Sequence, residues 1–86
     1  MDKEVKKPRI LLVEDEESLL DIILMNLKLE GYDVSVARDG KQAIDMARQA
    51  RFDLCILDIM LPKVDGFTVC KTLRLDNNRV PILFLS

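Results

Sequence analysis

Three short runs of apolar residues constrain the fold of this chain more than any other feature of its sequence. They lie at residues 10–13, 54–57 and 81–85, and each is too short to form a helix of its own. A continuous apolar run of this length is typical of a β-strand that is covered on both faces. Because segments with helical spacing separate the runs, the sequence predicts an α/β fold, with a parallel sheet between two layers of helices.

The segments between these runs predict the remaining elements of a β-α-β-α-β-α-β chain. A long helical stretch follows the first strand and extends to Glu30, where Gly31 would cap its C-terminus. Polar and apolar residues alternate over residues 33–37, which predicts a half-exposed edge strand. A second helix follows, and a short third helix is expected at about residues 67–75.

The first helix carries two apolar stripes where one would suffice to cover the sheet. The first stripe consists of Leu20, Ile23, Leu24 and Leu27. The second stripe, on the far flank of the helix, consists of Ile22, Met25 and Leu29. For a complete fold we favour a neighbouring helix as the cover of the second stripe. The alternative is a docking surface for a partner.

Charge and composition exclude several classes of function. Lysine and arginine number 13 against 15 acidic residues, which argues against a basic surface for nucleic acid. No histidine is present, so no histidine can act as base, nucleophile or metal ligand. Cys55 and Cys70 form no metal-binding pattern and predict buried thiols in a reducing compartment. With no signal peptide and no apolar run long enough to cross a bilayer, we expect a cytoplasmic chain without a membrane partner.

Acidic residues follow two of the predicted buried strands. Glu14 and Asp15 come directly after the first strand, and Asp58 comes directly after the third. Ligands of open α/β sheets bind at the carboxyl ends of the strands, where the strand order reverses. In a sheet of order 2-1-3-4 these carboxylates would converge, and a set of oxygen ligands that repel one another favours Mg²⁺ or a similar ion. The alternative is that they are solvated loop residues and helix caps.

Three segments of the sequence resemble the receiver domain of the response regulators of two-component signalling. They are Ile10-Leu11-Leu12-Val13-Glu14-Asp15-Glu16, Phe52-Asp53-Leu54-Cys55-Ile56-Leu57-Asp58-Ile59-Met60-Leu61-Pro62-Lys63-Val64-Asp65-Gly66-Phe67 and Val80-Pro81-Ile82-Leu83-Phe84-Leu85-Ser86. The resemblance implies a flavodoxin-like, doubly wound parallel sheet in three layers, with strand order 2-1-3-4. It divides the chain into a charged tail at residues 1–8 and one domain at residues 9–86.

The resemblance also implies a role for each residue of the acidic site. Asp58 would be the phosphoacceptor, which takes a phosphoryl group from a phosphohistidine of a sensor histidine kinase. Mg²⁺ or Mn²⁺ would be held by Asp15 directly, by Glu14 through water, by Asp58 and by the Met60 carbonyl. Ser86 would reorient toward the phosphoryl oxygens and report the modified state. The chain would be a bacterial phosphoprotein and not an enzyme, with self-catalysed phosphotransfer and slow autodephosphorylation at most.

The resembled domain continues beyond the position of Ser86 with a helix, a fifth strand and a last helix. The resemblance therefore predicts a receiver domain truncated after the fourth strand, in which no position matches the family's phosphoryl-pairing Lys. We expect the fourth strand to be an exposed apolar edge. We therefore expect the chain to self-associate through this strand and the first helix, or to be the ordered part of something larger. The alternative function is accordingly a non-signalling half-domain that acts through self-association.

Other proteins of this topology match the sequence less well. An FMN-binding module would need a phosphate loop rich in Ser, Thr and Gly at residues 14–17, which are all acidic. A phosphohydrolase with an aspartyl nucleophile would carry a second acid at the position of Met60. A dinucleotide-binding protein would need a glycine motif that the three scattered glycines do not form.

Overall fold

Strands and helices alternate along the whole of the described chain. A computed structural model gives the structure of residues 6–85. The elements are β1 (Arg9–Val13), α1 (Glu17–Leu29), β2 (Asp33–Ala37), α2 (Gly40–Gln49), β3 (Leu54–Asp58), α3 (Gly66–Leu75) and β4 (Ile82–Leu85). The four strands are all parallel and form one sheet in the order β2-β1-β3-β4. The predicted succession of elements and the predicted strand order are both confirmed.

The sheet has a separate apolar core on each face, which gives the three predicted layers. Side chains that alternate along β1 and β3 point to opposite faces, since successive residues of a strand do so. On one face, Leu20 of α1 packs with Ile10, Leu12 and Ile56. On the other face, α2 and α3 pack against the buried residues Leu11, Val13, Cys55 and Leu57. Both central strands are therefore covered on both sides, as their continuous apolar runs predict.

Side chains and a glycine define the ends of α1. Glu16 caps its N-terminus, where the carboxylate accepts hydrogen bonds from the N–H groups of Ser18 and Leu19. After the C-terminus, Gly31 adopts a left-handed φ of 89° and donates its N–H to the Lys28 carbonyl. This conformation favours glycine, so the predicted glycine cap is confirmed.

The second apolar stripe of α1 is exposed. Ile22 and Met25 are more than half exposed, and Leu29 is 76% exposed. No element among residues 6–85 covers this stripe. The covering helix that we favour for a complete fold is thus not found within the described part of the chain.

β4 forms one edge of the sheet as far as the structure describes it. It pairs with β3, and Leu83 and Phe84 are exposed while Ile82 and Leu85 are half-buried. At the other end of the chain, residues 6–8 are exposed and have no regular secondary structure, whereas residues 1–5 lie outside the described range. The division at residue 8 stays a prediction. None of the helices within residues 6–85 is both long and apolar enough to cross a membrane.

Candidate functional site

Three carboxylates meet at the carboxyl ends of the two central strands. Because β1 and β3 are neighbours and Val13 aligns with Leu57, the residues that follow them come side by side. Glu14, Asp15 and Asp58 each offer a carboxylate oxygen, and these oxygens all lie within 4.8 Å of one another. The structure thus brings together acids that are more than forty residues apart in the sequence.

Glu14 is the buried member of this cluster, with only 1% of its surface exposed. Its Oε2 accepts hydrogen bonds from the N–H groups of Asp15 (3.1 Å) and Glu16 (2.9 Å). Its Oε1 is also buried and has no hydrogen-bond partner in the described part of the chain. Burial raises the pKa of the Glu14 carboxyl, the Glu16 N–H opposes that shift, and the negative charge of Asp58 adds to it.

Asp58 is half-buried at the last position of β3, and the backbone that follows it is held against it. The N–H of Met60 donates to Asp58 Oδ1 at 3.1 Å. The Met60 side chain is 82% exposed. Met60 therefore adjoins the acidic cluster through its backbone, while the role predicted for its carbonyl oxygen as a metal ligand stays a prediction.

This donor set fits a hard divalent cation. The three residues offer oxygen atoms only, which suits Mg²⁺ or Mn²⁺. The buried Glu14 Oε1 lacks a partner, and an unpaired charged oxygen in the interior is costly. A cation bound between the carboxylates, together with the water it carries, would supply that partner and relieve their mutual repulsion. The fit rests on this chemistry and not on the acidic composition alone.

A cavity of about 850 Å³ lies at the opposite end of the sheet. Phe52 and Pro81 line it, together with the ion pair in which Arg48 Nε lies 2.7 Å from Asp76 Oδ2. It contains none of the residues that the sequence predicts for the site. The carboxylate cluster lies at the other end of the sheet, where Glu14 is buried, Asp58 is half-buried and Asp15 is exposed.

The structure shows supporting residues beside the predicted site. Asp39 caps α2 and lies 3.4 Å from Lys63, which belongs to the segment between β3 and α3. Asp65 caps α3. The sequence signal for both caps is an Asp-Gly pair in front of a helical stretch, whereas nothing in the sequence indicates the ion pair. Ser86, the predicted phosphoryl-sensing residue, lies outside the described residues.

Comparison with known sequences places this chain among signalling proteins. Residues 10–86 match the family model of the response regulator receiver domain. The DNA-binding dual master transcriptional regulator RpaA of Synechocystis is 47% identical over 81 residues, which cover 92% of this chain and 34% of that protein. The alkaline phosphatase synthesis transcriptional regulatory protein PhoP of Bacillus subtilis is 47% identical over 78 residues, or 91% of this chain and 32% of that protein.

Solved structures lead to the same family. The receiver domain of a Francisella response regulator superposes with a TM-score of 0.90 at 31% identity. The receiver domain of a sensor histidine kinase from Pseudomonas aeruginosa, which has a magnesium ion coordinated in its active-site cleft, superposes with a TM-score of 0.91 at 36% identity. The matches cover 93% and 94% of this chain, and 66% and 68% of the two solved chains. The chain spans about a third of the length of the two transcriptional regulators.

Proposed function

The chain belongs to the response regulator receiver domain family, and from this premise we propose that it is a phosphoacceptor with Asp58 as the modified residue. The donor is a phosphohistidine of a sensor histidine kinase. One observation carries the proposal: a buried carboxylate with an unpartnered oxygen lies within 4.8 Å of Asp15 and Asp58. A cluster of solvated loop acids would not leave such an oxygen in the interior.

The reaction proposed for Asp58 is a simple displacement at phosphorus. A carboxylate oxygen of Asp58 forms a bond to the phosphorus while the phosphorus–nitrogen bond of the phosphohistidine breaks. The electron pair of that bond stays on the imidazole nitrogen, which takes up a proton. The protein performs little covalent chemistry beyond this, so position and charge decide the rate.

Glu14, Asp15, Asp58 and the Met60 carbonyl are the residues we propose to hold a Mg²⁺ or Mn²⁺ ion. When bound, the ion supplies positive charge that offsets the charge of the phosphoryl group and of the attacking carboxylate. A water held by the ion would then be the partner of the buried Glu14 oxygen. The Met60 N–H keeps Asp58 Oδ1 in place, which orients the carboxylate before the donor arrives.

Two further roles complete the proposal. Ser86 donates a hydrogen bond to the phosphoryl oxygens and so reports the modification, in keeping with its position directly after β4. We propose that the chain acts in the cytoplasm, a reducing compartment that suits its free cysteines. Burial raises the pKa of the Cys55 thiol to about 12, so this thiol stays protonated and unreactive.

Calorimetric titration of the chain with Mg²⁺ tests the metal site. We expect binding by the wild type and its loss in Asp15→Asn, because that variant removes one charged ligand. Asp21→Asn, which removes an exposed acid of α1 and the same charge, is the matched control and should bind as the wild type does. An unchanged isotherm for Asp15→Asn would show that the ion does not bind at the proposed metal site.

Phosphorylation by acetyl phosphate tests the acceptor. Mass spectrometry of peptides should find the phosphoryl group on Asp58 alone, and Asp58→Asn should abolish it. Asp53 lies in the same segment, where its carboxylate accepts a hydrogen bond from the Arg9 N–H, and it serves as the internal control. Labelling at Asp53, or undiminished labelling of Asp58→Asn, would contradict the proposal.

A second candidate function is self-association, which the exposed apolar surface favours. Leu83 and Phe84 of β4 are exposed, and the second stripe of α1 is exposed as well. Unpaired strand edges and contiguous apolar surface are the features that drive association. Light scattering behind a sizing column decides the matter: a monomer of 9.9 kDa at every concentration excludes this candidate.

A further inference from the structure

The N-terminus of α2 and the β3–α3 loop, residues 59–65, are in direct backbone contact at Gly40. A Cβ atom added to Gly40 would lie 2.1 Å from the Val64 carbonyl oxygen and 2.7 Å from the Val64 Cβ. Real Cβ atoms essentially never come so close to backbone, so either α2 or the loop would have to move. Val64 can lie this close to α2 only because residue 40 is a glycine.

An ion pair joins the same two elements. Lys63 Nζ lies 3.4 Å from Asp39 Oδ2, while Asp39 Oδ1 accepts the N–H of Gln42 at 2.8 Å and caps α2. Hydrogen bonding from Gln42 lowers the pKa of the Asp39 carboxyl, and the charge of Lys63 lowers it further. Lys63 also has a left-handed φ of 69°, a conformation that is unfavourable for a residue with a Cβ atom. The loop holds this residue in a conformation that its own backbone disfavours.

The other end of the loop is closed directly onto the backbone of Asp58. The Gly66 N–H donates to the Ile59 carbonyl at 2.8 Å. A Cβ atom on Gly66 would lie 2.4 Å from the Asp58 carbonyl oxygen. Since both ends of the loop are fixed, a displacement at Val64 has to be taken up within the residues between them, and these include Met60.

We propose that Gly40 and the Asp39–Lys63 ion pair are positioning elements that hold the β3–α3 loop in the geometry needed for divalent cation binding. The proposal rests on the metal site proposed above. None of the three residues is a ligand. They act from the β2–α2 side of the sheet on Met60 and Asp58, which the loop connects to them. Residues that orient the ligands of a metal contribute tenfold to hundredfold in affinity in other sites.

Gly40→Ala is the direct test, with Mn²⁺ affinity of the 86-residue chain as the readout. We expect about tenfold weaker binding, because the loop has to shift while all three carboxylates remain. Gly31→Ala is the matched control, since Gly31 has a φ of 89° and no atom within 4 Å of an added Cβ. It should lower the thermal unfolding midpoint through backbone strain and leave the Mn²⁺ affinity within about twofold of the wild type.

The ion pair is tested with variants that leave the backbone intact. Asp39→Asn keeps the helix cap, because asparagine caps as well as aspartate does. We expect Asp39→Asn and Lys63→Met each to weaken Mn²⁺ binding about threefold, the scale of an exposed ion pair. The double variant should bind Mn²⁺ as tightly as either single variant does. Lys63→Arg keeps the positive charge and should bind Mn²⁺ with the wild-type affinity. Lys41→Met breaks the Lys41–Asp45 pair of α2, away from the loop, and should have no effect.

The outcomes separate this proposal from the metal site itself. If Asp15→Asn binds Mn²⁺ as the wild type does, the metal site is wrong. If Asp15→Asn loses the ion while Gly40→Ala and the ion-pair variants keep the wild-type affinity, the site stands and the positioning proposal is overturned. Should Gly40→Ala fail to fold, the two ion-pair variants decide the result.

Discussion

The rings of Phe67 and Phe84 lie with their centroids 5.3 Å apart, tilted by 48°. Phe67 belongs to the first turn of α3, and Phe84 belongs to β4, where it aligns with Leu57 of β3. Both side chains are exposed, at 61% and 37%. This contact joins α3 to the edge strand β4, and both of its side chains are partly exposed to solvent.

A double-mutant cycle measures the contact. Tilted aromatic pairs contribute about 0.5–1.5 kcal/mol beyond their area, so we expect a coupling near the lower value for this exposed pair. Phe67→Leu, Phe84→Leu and the double variant should be compared by urea unfolding. Additive effects of the two substitutions would show that the rings merely lie near each other.

Glu14→Gln should stabilise the metal-free chain and abolish its stabilisation by Mg²⁺. The pKa of Glu14 is raised in the folded state, so the protonated carboxyl contributes to the free energy of unfolding at acid pH. This contribution is lost as pH rises through the folded pKa. At pH 7 the buried charge opposes folding, and glutamine removes it while its amide oxygen still accepts the backbone N–H groups. We expect a gain of about 1 kcal/mol in EDTA.

Thermal unfolding with and without Mg²⁺ checks this prediction. Glu30→Gln removes an exposed charge after α1 and should change stability by less than about 0.5 kcal/mol. A destabilised Glu14→Gln variant in EDTA would mean that the Glu14 charge is already compensated in the metal-free chain.

Asp65 should make the chain sensitive to acid. Its carboxylate accepts the N–H (3.0 Å) and the hydroxyl (2.9 Å) of Thr68 at the start of α3, and these bonds lower its pKa. A lowered pKa gives a contribution that is complete above an aspartate's ordinary pKa of about 4 and is lost as pH falls through the folded value. Asp65→Asn keeps the cap without a titrating charge.

The measurement is the difference in unfolding midpoint between the wild type and Asp65→Asn from pH 6 to pH 3. We expect that difference to shrink toward acid pH. Thr68→Val, which lacks the hydroxyl donor, should show a smaller pH dependence than the wild type. A difference that stays constant over this range would contradict the role assigned to the charge.

Met60 should slow the hydrolysis of a phosphoryl group on Asp58. Its backbone N–H donates to Asp58, and its exposed side chain is apolar. An apolar side chain has no hydrogen-bonding group that could orient an attacking water. After labelling with acetyl phosphate, Met60→Asn should lose the phosphoryl group faster than the wild type, and Met60→Leu should lose it at the wild-type rate. Equal lifetimes of all three would show that this position does not control hydrolysis.

The two central strands were predictable because burial on both faces requires a continuous run of apolar residues. Residues 10–13 and 54–57 are covered on either side, so polar side chains are absent from them. The convergence of the acids followed from the strand order. That order came from the resemblance, since periodicity alone does not say which strands are neighbours.

The arrangement of neighbouring acids was not predictable in the same way. Glu14 and Asp15 are adjacent in sequence, yet Glu14 is buried and Asp15 is exposed. The Glu14 N–H donates to the Ala37 carbonyl at 3.1 Å, so Glu14 extends the pairing of β1 with β2. The Asp39–Lys63 pair and the Gly40 contact depend on how closely α2 approaches a loop. Such distances follow from tertiary packing, which leaves no periodic signal in the sequence.

β1 is the first strand among the described residues and lies between β2 and β3. During synthesis, residues 10–13 therefore leave the ribosome with two unpaired edges and an apolar side chain at every position. One edge is paired only when β2 is available, and the other has to wait for residues 54–57. For the translation of some forty residues the nascent chain thus exposes a segment suited to aggregation or to capture by a chaperone.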